Sequence, residues 1–251
     1  VDLPGVGGNL QDHLQVRSVY KVENTVTLNQ KANSLFGKAL MGLEYLFFKT
    51  GPLTMPPSQL GAFAKSDANQ SSANIEWHVQ PLSLEKFGDP LHKFNAITPS
   101  VCNLRPTSRG QVNIKSDDPR EHPSIQLNYL STPEDEQVAI QGLRWTRKIM
   151  QSKALRIFEP IEWKPGEAVQ SDTQLLEAAR ELGTTIFHPV GTCKMGSDAS
   201  AVVNERLQVH GVANLRVVDA SIMPRITSGN TNAPTVMIAE KGSKFILERF
   251  A

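Results

Sequence analysis

The chain has 251 residues, 39% apolar and 20% charged, the composition of an ordinary globular protein able to bury a substantial core. Its 26 Lys and Arg nearly cancel its 25 Asp and Glu, and no basic tract with interleaved aromatics occurs, which argues against nucleic acid as a partner. Two cysteines, Cys102 and Cys193, are too few for a disulfide framework and fit a reducing, cytoplasmic setting, with membrane association left open.

The opening "VDLPGVGGNLQDH" is glycine-rich but is no dinucleotide fingerprint: after Gly5 and Gly7 the third glycine would fall at Leu10, and no strand precedes it. It has no apolar leader and reads like the middle of a longer chain. A helix is expected in "NSLFGKALMGLEYLFFKTGPL", capped by Ser34 and stopped by Gly51-Pro52. Its apolar run from Ala39 to Phe48 is broken by Glu44 and is about half a bilayer span. "NIEWHVQ" alternates Ile75, Trp77 and Val79 with Glu76 and His78, the pattern of a half-buried strand. Further strands are expected from Phe94 to Leu104, around Val112 and Ile114, and around Ile125 and Leu127. The turn-rich "DDPREHP" makes the last two an antiparallel pair.

"STPEDEQ" opens a helix, with Thr132 as cap, Pro133 in the first position and Glu134, Asp135 and Glu136 complementing the positive end of the dipole. "SDTQLLEAARELG" opens another, with Ser171 and Gln174 forming a capping box and Gly183 at the end. The segment "LRVVDA" reads as a buried strand and "NAPTVMIAEKGSKFILERF" as a final helix, opened by Asn232 with Pro234 in its first turn. Early strands with interspersed helices indicate an α+β fold, an antiparallel or mixed sheet backed by helices.

The loop "TTIFHPVGTCKMG", Thr184 to Gly196, is open to three readings: a metal site, a thiol nucleophile with its base, or one proton-handling histidine. The other histidines are scattered without ligand spacing, so no metal site is expected. Cys193 lacks the helix N-terminus and distant histidine of an activated thiol, and a packing role suits it. His188 remains, stiffened by Pro189. A lone histidine is more often structural than catalytic, so its role rests on what faces it. Asp219, at the end of the expected strand, and the N-terminus of the last helix are further candidates for ligand contact.

Together, "DLPGVGGNLQDH", "RPTSRGQVNIKSDDPREHPSIQLNYLS", "FHPVGTCKMG" and "LRVVDASIMPRITSGNTNAPTVMIAEK" resemble the glucose–methanol–choline (GMC) oxidoreductases, especially choline dehydrogenase-like bacterial alcohol dehydrogenases. The four motifs occur in order and cover essentially the whole chain. The resemblance implies the C-terminal half of a two-domain FAD flavoenzyme, whose missing N-terminal half carries the main FAD-binding unit. Residues 1–13 would then be the tail of the FAD domain, 14–213 the substrate domain, and 214–251 a strand and helix returning to the FAD domain. His188 matches the family's active-site histidine and Asn232 its partner position. Asn9, Asp12, His13, Asp219, Ala220, Ala233, Pro234 and Thr235 match cofactor contacts.

The implied reaction is oxidation of a small-molecule alcohol, with proton removal by His188 and hydride transfer to the flavin. Choline-type members carry a carboxylate where this chain has Gln59, which weakens choline and favours a neutral primary alcohol. Trp77 and Trp163 are candidates for an aromatic cage. Two rival readings differ in class: an inactive fragment or binding module without FAD, and a lyase on the same scaffold. Oligomerisation is compatible with all of them.

Overall fold

The computed structural model describes residues 1–56 and 58–248. The chain divides into two compact units, one of residues 15–103 and 137–184, the other of residues 1–14, 104–136 and from Thr185 onward. The first break falls beside the expected boundary at 13/14. The expected substrate domain, however, is divided, because residues 104–136 and 185–213 cluster with the two ends of the chain.

The first unit is built on a seven-stranded sheet, which bears out the α+β expectation. Its strands are β1 (Leu14–Arg17), β2 (Val19–Lys21), β3 (Leu60–Ala64), β4 (Ile75–Gln80) and β5 (Ala96–Asn103). The short β6 (Gln111–Asn113) and β7 (Ser124–Gln126) belong to the other unit, and β8 (Ile161–Lys164) and β9 (Gly183–Thr185) complete the sheet. The order is β3-β4-β5-β1-β9, with β2 joining β5 to β8. β5 pairs along its length with β4, and its two halves pair on the other side with β1 and β2, all antiparallel.

β4 departs from the half-buried expectation. Flanked by β3 and β5, it buries Ile75 and Trp77 on one face and Glu76 on the other. Alternation in sequence marks the two faces of a strand, and here neither of them is solvent.

Four of the five α-helices among the described residues were legible from sequence. The helix missed was the short α1 (Leu28–Asn33), which lacks a strong cap. α2 (Leu35–Phe48) begins where expected, with Ser34 Oγ accepting from the Gly37 amide at 3.2 Å. It ends at Lys49, whose left-handed φ of 54° stops the helix before Gly51 is reached. None of its residues is buried, and Phe36, Phe47 and Phe48 are exposed. Among the described residues no helix is long and apolar enough to cross a membrane.

α3 (Pro133–Met150) backs the sheet. Gly142 allows a close approach, since a Cβ there would lie 3.1 Å from Val101. One turn on, the Trp77 indole donates to Thr146 Oγ1 at 2.8 Å. Burial of Trp77, Leu143 and Ile75 contributes roughly 1.5–3 kcal/mol each. Arg147 grips Glu162 on β8 with both nitrogens, Nε to Oε2 at 2.9 Å and Nη2 to Oε1 at 3.1 Å. α4 (Asp172–Leu182) carries the full Ser171–Gln174 capping box, and Gly183 closes it in an extended conformation that leads straight into β9.

In the other unit β6 and β7 pair antiparallel with Val112 opposite Ile125, as expected but shorter. Its apolar core gathers Val190, Val202, Val203, Leu207, Ile222 and Ile238, with Cys193 packed against it. "LRVVDA" is not a strand here: only the isolated bridge Gln208–Arg216 forms. A strand needs a longer run of pairing, and this segment has two backbone hydrogen bonds around that bridge, Val209 N to Leu215 O at 3.0 Å and Val217 N to Leu207 O at 3.2 Å. α5 (Asn232–Leu247) follows the expected position, with Thr231 rather than Asn232 at the N-cap and no side-chain capping hydrogen bond. The end of that expected helix, 249–250, lies outside the described residues.

Candidate active site

The site is organised by residues 9–13. Leu10 bridges Gly110, and Gln11 exchanges both backbone hydrogen bonds with Val190, at 3.0 and 2.9 Å. The His13 carbonyl then accepts from the Ile186 amide at 3.2 Å. The segment therefore lies beside the His188 loop like an edge strand. Gly191 permits this closeness: with φ at +97°, a Cβ there would fall 2.4 Å from the Asn9 carbonyl oxygen.

Asp12 is the junction. It is buried, and its Oδ1 accepts the backbone N–H of both His13 and His188, each at 2.9 Å. Its Oδ2 accepts the hydroxyls of Thr185, at 2.5 Å, and Tyr129. Burial, reinforced by the Asp12 carboxylate, pushes the Tyr129 hydroxyl well above the usual tyrosine range, so it stays a donor at any working pH.

The left-handed turn at Phe187 (φ 64°) leaves that ring exposed while His188 is buried. His188 Nδ1 lies 3.0 Å from Nδ1 of His13, whose Nε2 lies 3.2 Å from the Leu104 carbonyl oxygen. The other ring nitrogen of His188, Nε2, lies 3.4 Å from Nδ2 of Asn230.

The residue against His188 is thus Asn230, not Asn232. Asn232 is the exposed first residue of α5. The sequence "GNTNAP" offers two asparagines two positions apart, and only the loop geometry before α5 chooses between them. His13, Tyr129 and Thr185 likewise escaped the sequence reading as partners of this site. The "QDH" next to a loop histidine carried no spacing signal, because the contact is made across 175 residues.

The expected cofactor residues separate into two groups. Asp12, Asp219, Ala220 and Thr235 line one cleft of about 710 Å3, together with Phe187 and Pro189 on either side of His188. Asn9, His13, Ala233 and Pro234 do not line it. Asn9 holds the Gly191 and Pro224 carbonyls at 3.2 and 3.3 Å, and His13 is wholly buried. Asp219 also caps a turn, Oδ1 accepting from Ser221 N at 2.7 Å. Thr235, in the first turn of α5, is the residue of that helix on the cleft wall.

In the sheet unit, strand register brings together groups that sequence spacing left apart. Glu76 on β4 stands opposite Cys102 on β5, and His78 lies two residues on along the same face. Their ligand atoms lie within 4.8 Å of one another, a set that could hold a metal ion and that the sequence reading did not anticipate. His78 Nε2 lies 3.2 Å from Glu76 Oε1, while Glu76 Oε2 has no hydrogen-bond partner among the described residues.

Burial pushes the Glu76 carboxyl up to about 7 from an ordinary 4.5. The unfolded chain gives up this proton near 4.5 and the folded chain holds it to about 7, so the contribution of Glu76 to stability falls as pH rises through that window. E76Q is expected to remove a pH-dependent component of about 1–2 kcal/mol between those limits. Urea midpoints of both proteins across that range measure it; parallel curves would rule it out.

The indoles proposed as a cage are engaged elsewhere. Trp77 is buried with its N–H on Thr146, and Trp163 has the ammonium of Lys21 3.6 Å from its ring centroid. Gln59 and Trp77, without Trp163, line an apolar cavity of about 370 Å3 in the sheet unit.

Residues 106–239 match the family model described as GMC oxidoreductase. The chain is 41% identical to an alcohol dehydrogenase [acceptor] of Pseudomonas putida, over 99% of this chain and 45% of that protein. It is 44% identical to an oxygen-dependent choline dehydrogenase of Pseudomonas fluorescens (strain Pf0-1), over 96% of this chain and 42% of that protein. It thus spans less than half the length of these relatives. Among solved structures it is similar to a pyridoxine 4-oxidase from Mesorbium loti, with a TM-score of 0.80 and 27% identity over 97% of this chain and 44% of that one. A formate oxidase shares the fold, with a TM-score of 0.89 at 23% identity over 99% of this chain and 48% of that one.

Proposed function

The chain belongs to the GMC oxidoreductase family, whose intact members use FAD, and we propose that it is the substrate-binding and catalytic C-terminal portion of an FAD-dependent alcohol dehydrogenase or oxidase. The observation that carries this reading is the approach of the Asn230 amide to His188 Nε2, on a loop whose Phe187 and Pro189 line the cleft.

His188 accepts the hydroxyl proton of the alcohol on Nε2. A buried ring held by its own backbone amide and by His13 keeps one orientation, as a base requires. Asn230 Nδ2, already directed at that nitrogen, donates to the alcohol oxygen when substrate enters and steadies the charge that grows there. Asp12 holds the loop that carries the base. When bound, FAD supplies the acceptor for the hydride that leaves the alcohol carbon. The cleft lined by Asp219, Ala220 and Thr235 is the part of this chain we assign to holding it, and the N-terminal half absent from this chain is the partner that completes the site.

A neutral primary alcohol is the substrate class we favour. Gln59 offers no charge to a quaternary ammonium, and Lys21 occupies the face of Trp163. The exposed Leu215, Val236 and Met237, on "LRVVDA" and the outer face of α5, support the assignment of residues 214–251 to the FAD domain of the complete protein.

The partner assignment is tested by two alanine variants of the full-length enzyme. N230A is expected to lower kcat on the order of 10²-fold, the effect of losing one donor to a developing oxyanion, while N232A stays within about 2-fold. The reverse order would return the role to Asn232.

A further inference from the structure

We infer that His13 is a positioning residue that fixes the tautomer of His188 and so keeps the lone pair on Nε2, where the base needs it; the inference rests on reading His188 as the proton acceptor. The Leu104 carbonyl can only accept. His13 Nε2, 3.2 Å away, therefore carries a hydrogen. His13 is 0% exposed, and its two ring nitrogens face neutral groups, the Leu104 carbonyl and the His188 ring. A second proton would place a charge there without water to solvate it, so the neutral ring is favoured. A neutral ring with its hydrogen on Nε2 has a lone pair on Nδ1.

That lone pair lies 3.0 Å from His188 Nδ1, which must then be the donor. A neutral His188 with its hydrogen on Nδ1 presents a lone pair on Nε2. The far end of the chain agrees: the group meeting Nε2 is the Asn230 amide nitrogen, a donor only, at 3.4 Å. These three contacts point the same way, from Asn230 through His188 and His13 to Leu104. When His188 takes a proton on Nε2, its Nδ1–H becomes a stronger donor and His13 is already in place to accept it.

The geometry is not incidental to packing. The two rings meet edge-on, with centroids 5.2 Å apart and planes at 85°. A single oxygen, Asp12 Oδ1, holds the backbone amides of both residues, so the two rings start from a shared anchor. His13 itself lines no part of the cleft.

The test is the imidazole 15N spectrum of the protein carrying this chain, labelled at histidine, with H13N and H188N used to assign signals. The expected result is hydrogen on Nδ1 of His188 and on Nε2 of His13, seen with or without flavin. A resting His188 with its hydrogen on Nε2 would overturn the inference. Turnover supplies the second arm in the full-length enzyme. H13L removes the acceptor and is expected to lower kcat by about 10- to 100-fold with KM within about 3-fold. H13N keeps a carboxamide oxygen near the position of Nδ1 and is expected to restore most of that loss. Equal losses in the two variants, or a change carried by KM, would also overturn it. Should H13L fail to fold, the spectrum of the unaltered protein still decides. Because the tautomer is read without substrate, a failure of His188 as the base, seen as near-normal turnover in H188A, is distinguishable from a failure of this inference.

Discussion

Replacing His188 by alanine in the full-length enzyme is expected to lower alcohol turnover by about 10²- to 10⁴-fold, the usual loss for a positioned general base, while flavin stays bound. The two parts of that result have separate physical origins. Turnover falls because Nε2, the atom facing Asn230 and the acceptor we assign to the hydroxyl proton, is removed. The fold persists because His188 is tied to Asp12 through its backbone N–H, which alanine retains at the same position. The truncation does leave His13 Nδ1 without its ring partner in a buried place, at a cost of about 1–3 kcal/mol. Steady-state rates with a primary alcohol, together with flavin absorbance and a thermal melt, separate the two effects. Near-normal turnover in H188A would remove the base from the mechanism. Loss of flavin along with turnover would instead mark His188 as part of the cofactor's support.

How much of this was legible in sequence depends on the range of the interaction concerned. The capping box at Ser171 and Gln174, the Pro133 start of α3 and the Ser34 cap are decided within a few residues, and each appears where its local pattern put it. The β6–β7 hairpin was readable for the same reason. By contrast, β1, β2, β3 and β8 are three to five residues long and carry no clean alternation. They exist as strands because the sheet supplies neighbours, which no local window shows. "LRVVDA" is the converse: a good strand composition that among the described residues pairs only through one isolated bridge.

The site divides along the same line. His188 was found through its motif, but the groups that touch it come from positions 12, 13 and 230, with residues 9–13 paired alongside the 186–190 loop. Asn230 and Asn232 have identical side chains and almost identical neighbours in sequence. Both are exposed; what distinguishes them is that Asn230 lies in the loop with Nδ2 3.4 Å from His188 Nε2, whereas Asn232 begins α5.

Asp12 carries the largest expected effect on stability. D12A is expected to cost about 3–5 kcal/mol, because it leaves four donors without their acceptor in a buried place: the amides of His13 and His188 and the hydroxyls of Tyr129 and Thr185. The hydroxyls can rotate toward other acceptors, but the amides are fixed by the backbone and bear most of the cost. D12N separates these contributions. Its carboxamide oxygen can still accept from both amides, while its NH2 group faces two hydroxyl oxygens that are able to accept in turn. Its cost should therefore be smaller, about 1–2 kcal/mol. Both variants should lose turnover beyond what their stability explains, since Asp12 Oδ1 sets the backbone from which each histidine ring projects, and a shift of about 1 Å at a reacting group is worth up to 10²-fold. Urea unfolding of the two variants gives the order of stability, and kcat measured well below their melting temperatures gives the catalytic part. Equal stability of D12A and the unaltered protein would mean that the two amides find other acceptors, and Asp12 would then lose its place as the anchor of the site.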